Sequence, residues 1–181
     1  MTWRLLTSFC AAATLTAAVA LAPATAGASG TSASASTRAL TPLEFGILQR
    51  VNTIRRDHRL APLRVNVRLA SAADKHSRDM VANGFFEHDS AAGTFGQRLE
   101  RFYGAASSGT WSAGENILWR PGALEAKAAV ESWMASPPHR ANILSGRWRE
   151  IGISAVTRTA APGVYGGADV TVVTTDFGYR R

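Results

Sequence analysis

The chain has 181 residues, 46% of them hydrophobic, with seven net positive charges at neutral pH and a single cysteine. That length accommodates one ordinary domain plus a terminal extension, and one cysteine excludes a disulfide-stapled scaffold, so an apolar core must stabilise the fold. The positive charge is nearly all arginine and is interspersed with acids, without the concentrated stripe and reading motif of nucleic-acid binding; a dispersed basic surface fits solubility, or weak attraction to anionic envelope polymers and lipid surfaces.

Residues 1–26 begin with Arg4, run apolar from Leu5 to Leu21 and close on Ala24-Thr25-Ala26. This is the pattern of a cleaved secretory signal peptide. A membrane anchor fits less well, because the run is diluted with Ala, Thr and Ser. Cys10 follows Phe9 and not the small residue that lipid attachment would require. Loss of Arg4 with the signal leaves 7 − 1 = +6. Residues 27–39, built mostly from Gly, Ala, Ser and Thr, bury too little surface to order themselves and read as a flexible linker. The domain is then 40–181.

Thr41-Pro42-Leu43-Glu44 has the residues of a helix start: cap, proline at the first turn, and a glutamate three after the cap. A helix is expected to about Arg59, burying Leu43, Ile47, Val51 and Ile54, with Asn52 beside that stripe. A second is expected over Val67 to Asn83, stopped by Gly84. Its apolar face carries Leu69, Ala72, Ala73 and Met80, and His76 falls there as a core histidine. His58 reads as surface. A loop, Phe85 to Ser90, carries His88 beside two phenylalanines, and Thr94 caps a short helix to Tyr103. Residues 104–109 form a small-residue loop.

Trp111 to Trp119 contains Gly114-Glu115-Asn116 and receives no element from its pattern. A helix is expected over Gly122 to Ala135, burying Ala126, Val130, Trp133 and Met134. Ser136-Pro137-Pro138 halts it and sets His139, Arg140 and Asn142 at its end, between apolar residues. Glu150 to Thr157 and Ala168 to Phe177 read as an antiparallel pair of strands. Helices outnumber strands and the strands gather late, which makes the fold α+β, with helices packed on a small, mainly antiparallel sheet.

His88, Glu115, Glu131 and His139 are the residues suited to metal or acid–base chemistry. They form no HExxH or CxxC motif, and spacing alone leaves open whether they share a site. Ser136 near His139 is a conceivable nucleophile, but no Gly-x-Ser-x-Gly is present and a serine before Pro-Pro reads more simply as a helix-end residue. Asn116 and Asn142 are the hydrogen-bonding residues expected to hold the adjoining loops.

Phe86-Glu87-His88, Gly114-Glu115-Asn116-Ile117, the run Trp133-Met134-Ala135-Ser136-Pro137-Pro138-His139-Arg140-Ala141-Asn142-Ile143-Leu144, Ile151-Gly152-Ile153 and Asp176-Phe177-Gly178 together resemble the bacterial branch of the CAP superfamily, or SCP domain. That group holds the cysteine-rich secretory proteins, antigen 5 and the pathogenesis-related proteins. The resemblance covers Leu40 to Tyr179. It implies a three-layer α–β–α sandwich with a cleft lined by two histidines and two acids, which in some members holds zinc or another divalent ion. Carried over by motif, the cleft residues are His88, Glu115, His139 and Glu131, the last with a solvent-facing helix charge as its alternative. Asn116, Ser136, Arg140 and Asn142 support the cleft, and His88, Glu115 and His139 are its metal ligands. The chain departs from animal and plant members in its missing cysteines and in a last strand, Val170 to Phe177, without a histidine.

Neutral imidazoles and a carboxylate suit zinc, and a His–Glu pair also serves as base and orienter without metal. The expected function is a secreted or envelope-associated binding module for an extracellular lipid, glycan, peptide or protein. A secreted metal-dependent hydrolase of the peptidase kind is one alternative, and a structural envelope or spore-surface protein is another.

Overall fold

A computed structural model describes residues 39–106 and 109–181 of the chain. The expected signal peptide and, apart from Ala39, the expected linker lie outside the described residues. Helix α1 spans Pro42–Asp57. The Glu44 amide donates to Thr41 Oγ1 at 3.3 Å, while Glu44 Oε2 accepts from the Thr41 amide at 2.8 Å, a reciprocal cap that satisfies two helix-end donors. Ile47 and Val51 are fully buried beneath it, and Asn52 exchanges two hydrogen bonds with the Leu63 backbone. The helix stops two residues before Arg59.

A two-residue strand β1, Arg64–Val65, leads to α2, Val67–Asn83, capped by Asn66. Its buried face holds Leu69, Ala72, Ala73, His76, Ser77, Met80 and Val81. Gly84 ends it at φ +72°, a left-handed conformation that glycine adopts without steric cost. After the loop carrying His88 comes α3, Phe95–Phe102, with a capping box between Thr94 and Gln97.

The segment left unassigned from sequence is an eleven-residue strand, β2, Trp111–Pro121. Helix α4 is Ala126–Ala135, shorter at its start than expected. The double proline ends α4 at Ser136 and begins α5, Pro137–Ile143. Proline cannot continue the first helix, but its missing N–H costs nothing in the first turn of the next. Strands β3, Glu150–Arg158, and β4, Val170–Arg180, complete the sheet.

The strand order is β1-β3-β4-β2, with β4 antiparallel to both neighbours and the short β1 parallel to β3. Alternate residues of each strand face opposite layers. On one face Leu118, Ile151, Ile153, Val173 and Phe177 pack under α1, α4 and α5 through Ile47, Val51, Val130, Trp133 and Ile143. On the other, Ile117, Val170 and Val172 meet Met80 and Val81 of α2, and a smaller cluster joins Leu69 and Ala72 to Leu99 and Tyr103. This is a three-layer α–β–α sandwich.

Candidate functional site

β2 is the outer strand of the sheet, and Gly114-Glu115-Asn116 divides its chemistry between the two layers. Glu115 points to the α2 side, where its register partner on β4 is Asp176. Asn116 points to the α5 side, and its amide donates to the His139 carbonyl at 3.0 Å. A side chain at position 114 would press on Asn142 Oδ1, 2.9 Å from where its Cβ would stand, so glycine there allows α5 to lie against the strand. Asn142 Nδ2 donates to the Glu115 carbonyl at 3.0 Å and to Asn116 Oδ1 at 2.9 Å, and Trp133 Nε1 donates to the Ile117 carbonyl at 3.1 Å. The outward carbonyls of an edge strand are thereby satisfied by side chains of α4 and α5.

The Glu115 side chain is 1% exposed and holds two partners. Arg98 of α3 reaches Oε2 at 2.5 Å, and His88 Nδ1 meets Oε1 at 2.8 Å. Arg98 also donates to the His88 carbonyl at 3.1 Å and contacts His76 Nδ1 at 3.0 Å. A guanidinium only donates. His76 Nδ1 is therefore the acceptor, its proton sits on Nε2, and that N–H donates to the Glu87 carbonyl at 2.8 Å. His76 is thus a neutral imidazole in one tautomer, and burial depresses its pKa in the same sense.

His88 is the exposed member of this network, with 52% of its side chain accessible. Its hydrogen bond to Glu115 raises its pKa. His139, in the first turn of α5, moves the other way: burial lowers its pKa, and the neighbouring His88 charge lowers it further. The two imidazoles come from opposite layers of the sheet, and the His88 charge acts on His139.

Asp176 lies beneath them, wholly buried, and no donor among the described residues reaches either carboxyl oxygen. Burial, then the adjacent Glu115 charge, push its pKa well above the carboxylate range. Both causes favour the protonated form of Asp176, and the acceptor that it faces is the Glu115 carboxylate.

The remaining predicted residues divide. Ser136 ends α4 and caps α5 without a side-chain cap bond. Arg140 is exposed on α5. Glu131 is a correction: its side chain is 61% exposed and pairs with Lys127 at 2.6 Å, one helical turn away. It borders a groove of about 280 Å³ with Gln49, Arg50 and Thr53 of α1, and takes no part in the Glu115 network. Sequence reasoning missed Arg98 and Asp176 and placed His76 only in the core. Phe95, Arg98, Leu99 and Phe102 share one helical stripe, so Arg98 was an arginine at a position where burial is expected.

Of the three expected metal ligands, Glu115 is the one already held by other side chains. Both Glu115 oxygens are engaged, one by Arg98 and one by His88. Among the described residues no three His, Cys, Asp or Glu side chains gather as a ligand group. Glu115 instead stands behind His88, orienting the ring and leaving Nε2 as its outward atom.

Residues 48–174 match the family model described as the cysteine-rich secretory protein family, CAP. The chain is 35% identical over 114 residues to an uncharacterized membrane protein of Bacillus subtilis (strain 168), an alignment that spans 62% of this chain and 31% of that protein. Among solved structures, it is similar to an extracellular protein containing an SCP domain from Bacillus anthracis, at 32% identity and TM-score 0.55, covering 79% of this chain and 45% of that one. An outer surface protein from Borrelia burgdorferi shares the fold at 19% identity and TM-score 0.57, over 75% of this chain and 90% of that one. The chain thus spans less than half of the length of the two Bacillus proteins.

Proposed function

The chain belongs to the cysteine-rich secretory protein (CAP) family, and on that premise we propose that it is an extracellular binding module whose ligand is taken between His88 and His139 at the β2 edge. One observation carries the reading. Glu115 is buried and fully engaged, yet the histidine it orients is half exposed, so the network directs its organisation at a solvent-facing imidazole. A network serving stability alone has no need of an exposed terminus. The raised pKa of His88 favours the cationic form, which donates from Nε2, while the lowered pKa of His139 favours a neutral ring that also accepts. Together they suit a ligand that offers both an acceptor and a donor, as a glycan, a peptide or a lipid headgroup does. The relative from Bacillus anthracis is an extracellular protein, which supports the location.

The test is to screen the purified protein on glycan, lipid and peptide arrays beside a His88→Ala/His139→Ala double variant. The reading expects hits that the double variant loses while its melting temperature stays close to that of the parent. Equal capture by both proteins would exclude this site.

A hydrolase reading draws on one observation, the opposite displacement of the two imidazoles, which is how acid and base partners are separated. A peptide library with and without added Zn²⁺ and chelator tests it, and no cleavage in any arm ends it. For a purely structural protein, Glu115→Gln would lower the melting temperature and change no binding.

A further inference from the structure

A second surface lies on the β1 side of the sheet, across from the histidines. Segments 58–73 and 132–149 carry six arginines between them and no acidic residue. The fold brings parts of both together. Buried Arg55 donates from its guanidinium to the carbonyls of Ala61, Ile143, Ser145 and Trp148 at 2.9, 2.8, 2.9 and 3.4 Å, which joins the 58–63 loop to the 143–149 loop. Leu60 stands 3.6 Å from where a Cβ on Gly146 would lie, and the Arg64 amide donates to the Arg149 carbonyl at 3.0 Å.

The result is a contiguous rim of Arg59, Arg64, Arg147 and Arg149, all exposed. Two of these guanidinium groups are braced: that of Arg147 lies over the Trp148 ring, 5.7 Å from its centroid, and that of Arg149 donates to the Gly146 and Trp148 carbonyls at 2.7 and 2.9 Å. Bracing reduces the entropy lost when such a side chain binds an anion. The like charges are close enough that Arg149 lowers the pKa of Arg55, after burial as the larger cause. An array of like charges held together is stabilised by a polyanion. Next to it are two of the few large apolar side chains that the domain exposes, Val65 and Val67, 41% and 40% accessible. They lie between Arg64 and Arg68 on either side of Asn66, so the order along the chain is cation, apolar, amide, apolar, cation. A soluble polyanion has no use for the valines, whereas an anionic bilayer takes arginines at its phosphates and apolar groups at the headgroup boundary.

We propose that the face formed by Arg59, Arg64, Arg147, Arg149, Val65 and Val67 docks on an anionic phospholipid surface. The β1 edge that carries Arg64 and Val65 is the opposite edge of the sheet from β2.

The test is co-sedimentation of the full chain with phosphatidylcholine vesicles with and without about one-third phosphatidylglycerol. The vesicles without anionic lipid measure whatever the rest of the chain contributes. Arg59→Gln/Arg64→Gln/Arg147→Gln/Arg149→Gln removes the rim, and Arg50→Gln/Arg120→Gln/Lys127→Gln/Arg158→Gln removes the same charge from elsewhere. With about fivefold affinity per cation near an anionic surface, the rim variant loses at least tenfold of the phosphatidylglycerol-dependent binding, while the control loses less than threefold. Should the glutamine set fail to fold, the four-lysine set keeps the charge and retains most of the binding. Val65→Ser/Val67→Ser weakens vesicle binding severalfold and leaves binding to soluble polyphosphate unchanged. Equal losses in rim and control variants, or a serine pair that binds vesicles at full strength, would overturn the proposal.

Discussion

Among the described residues two arginines are buried, Arg55 and Arg98, and they are satisfied in opposite ways. Arg55 gives its protons to four backbone carbonyls. None of those acceptors titrates, and the guanidinium serves as a staple between two loops. Arg98 is held by a carboxylate, an imidazole nitrogen and one carbonyl, and its Nε has no partner. Its partners titrate, and they lead within one hydrogen bond to the surface at His88. Burial of a charge therefore does not mark a site here. What distinguishes the site is the kind of acceptor and a path to solvent.

The largest expected effect breaks the staple. Arg55→Met leaves four carbonyls without their donor, at about 1 kcal/mol each, so the domain loses about 4 kcal/mol and on the order of 10 °C in melting temperature. Thermal unfolding measures this, and the His88 titration followed by NMR remains unchanged. Arg98→Met breaks the buried pair with Glu115 and costs about 3 kcal/mol. It also raises the pKa of His88, because the Arg98 charge opposes protonation there. An Arg98 variant that left His88 unmoved would erase the difference between the two arginines.

Asp176→Asn sharpens the comparison through pH. An acid held far above its ordinary range takes up a proton on folding. Its contribution is neutral below the unfolded pKa of about 3.9 and becomes a cost as pH rises towards the folded value. The variant removes that cost, so its stability relative to the parent improves from pH 4 to pH 8 in denaturant titrations. An ionised Asp176 would give the reverse trend. The smallest effect is at Glu131: Glu131→Gln changes stability by no more than about 0.5 kcal/mol and leaves both histidine titrations in place.

The helices were legible because their signals are local. The Thr41 and Thr94 capping boxes, the Gly84 stop and the stripe through Ile47 and Val51 act within a few residues of chain. β2 was not, because its two faces serve different layers: Glu115 enters a polar network while Asn116 clips α5, and no simple alternation survives. The double proline was legible as a stop, but α5 beyond it required Pro137 to be read as a first-turn residue as well. In the site, motif resemblance pointed to His88, Glu115 and His139. It could not place Arg98 or Asp176, whose roles arise from strand register and helix packing. Glu131 shows the converse: a residue adjacent to a motif in sequence can face solvent one helical turn from its ion-pair partner.

The most direct test of the account is the titration of His88 and His139 by NMR in the parent and in Glu115→Gln. The account predicts His88 above the ordinary histidine value of about 6.5 and His139 below it. In the variant His88 falls, and His139 is little changed. The raised value also implies that the His88–Glu115 pair stabilises the fold below about pH 6.5 and loses that contribution as pH rises through the folded pKa, an effect below about 1 kcal/mol for a half-exposed group. Two histidines titrating together near 6.5, or a His88 indifferent to the loss of the Glu115 charge, would contradict it.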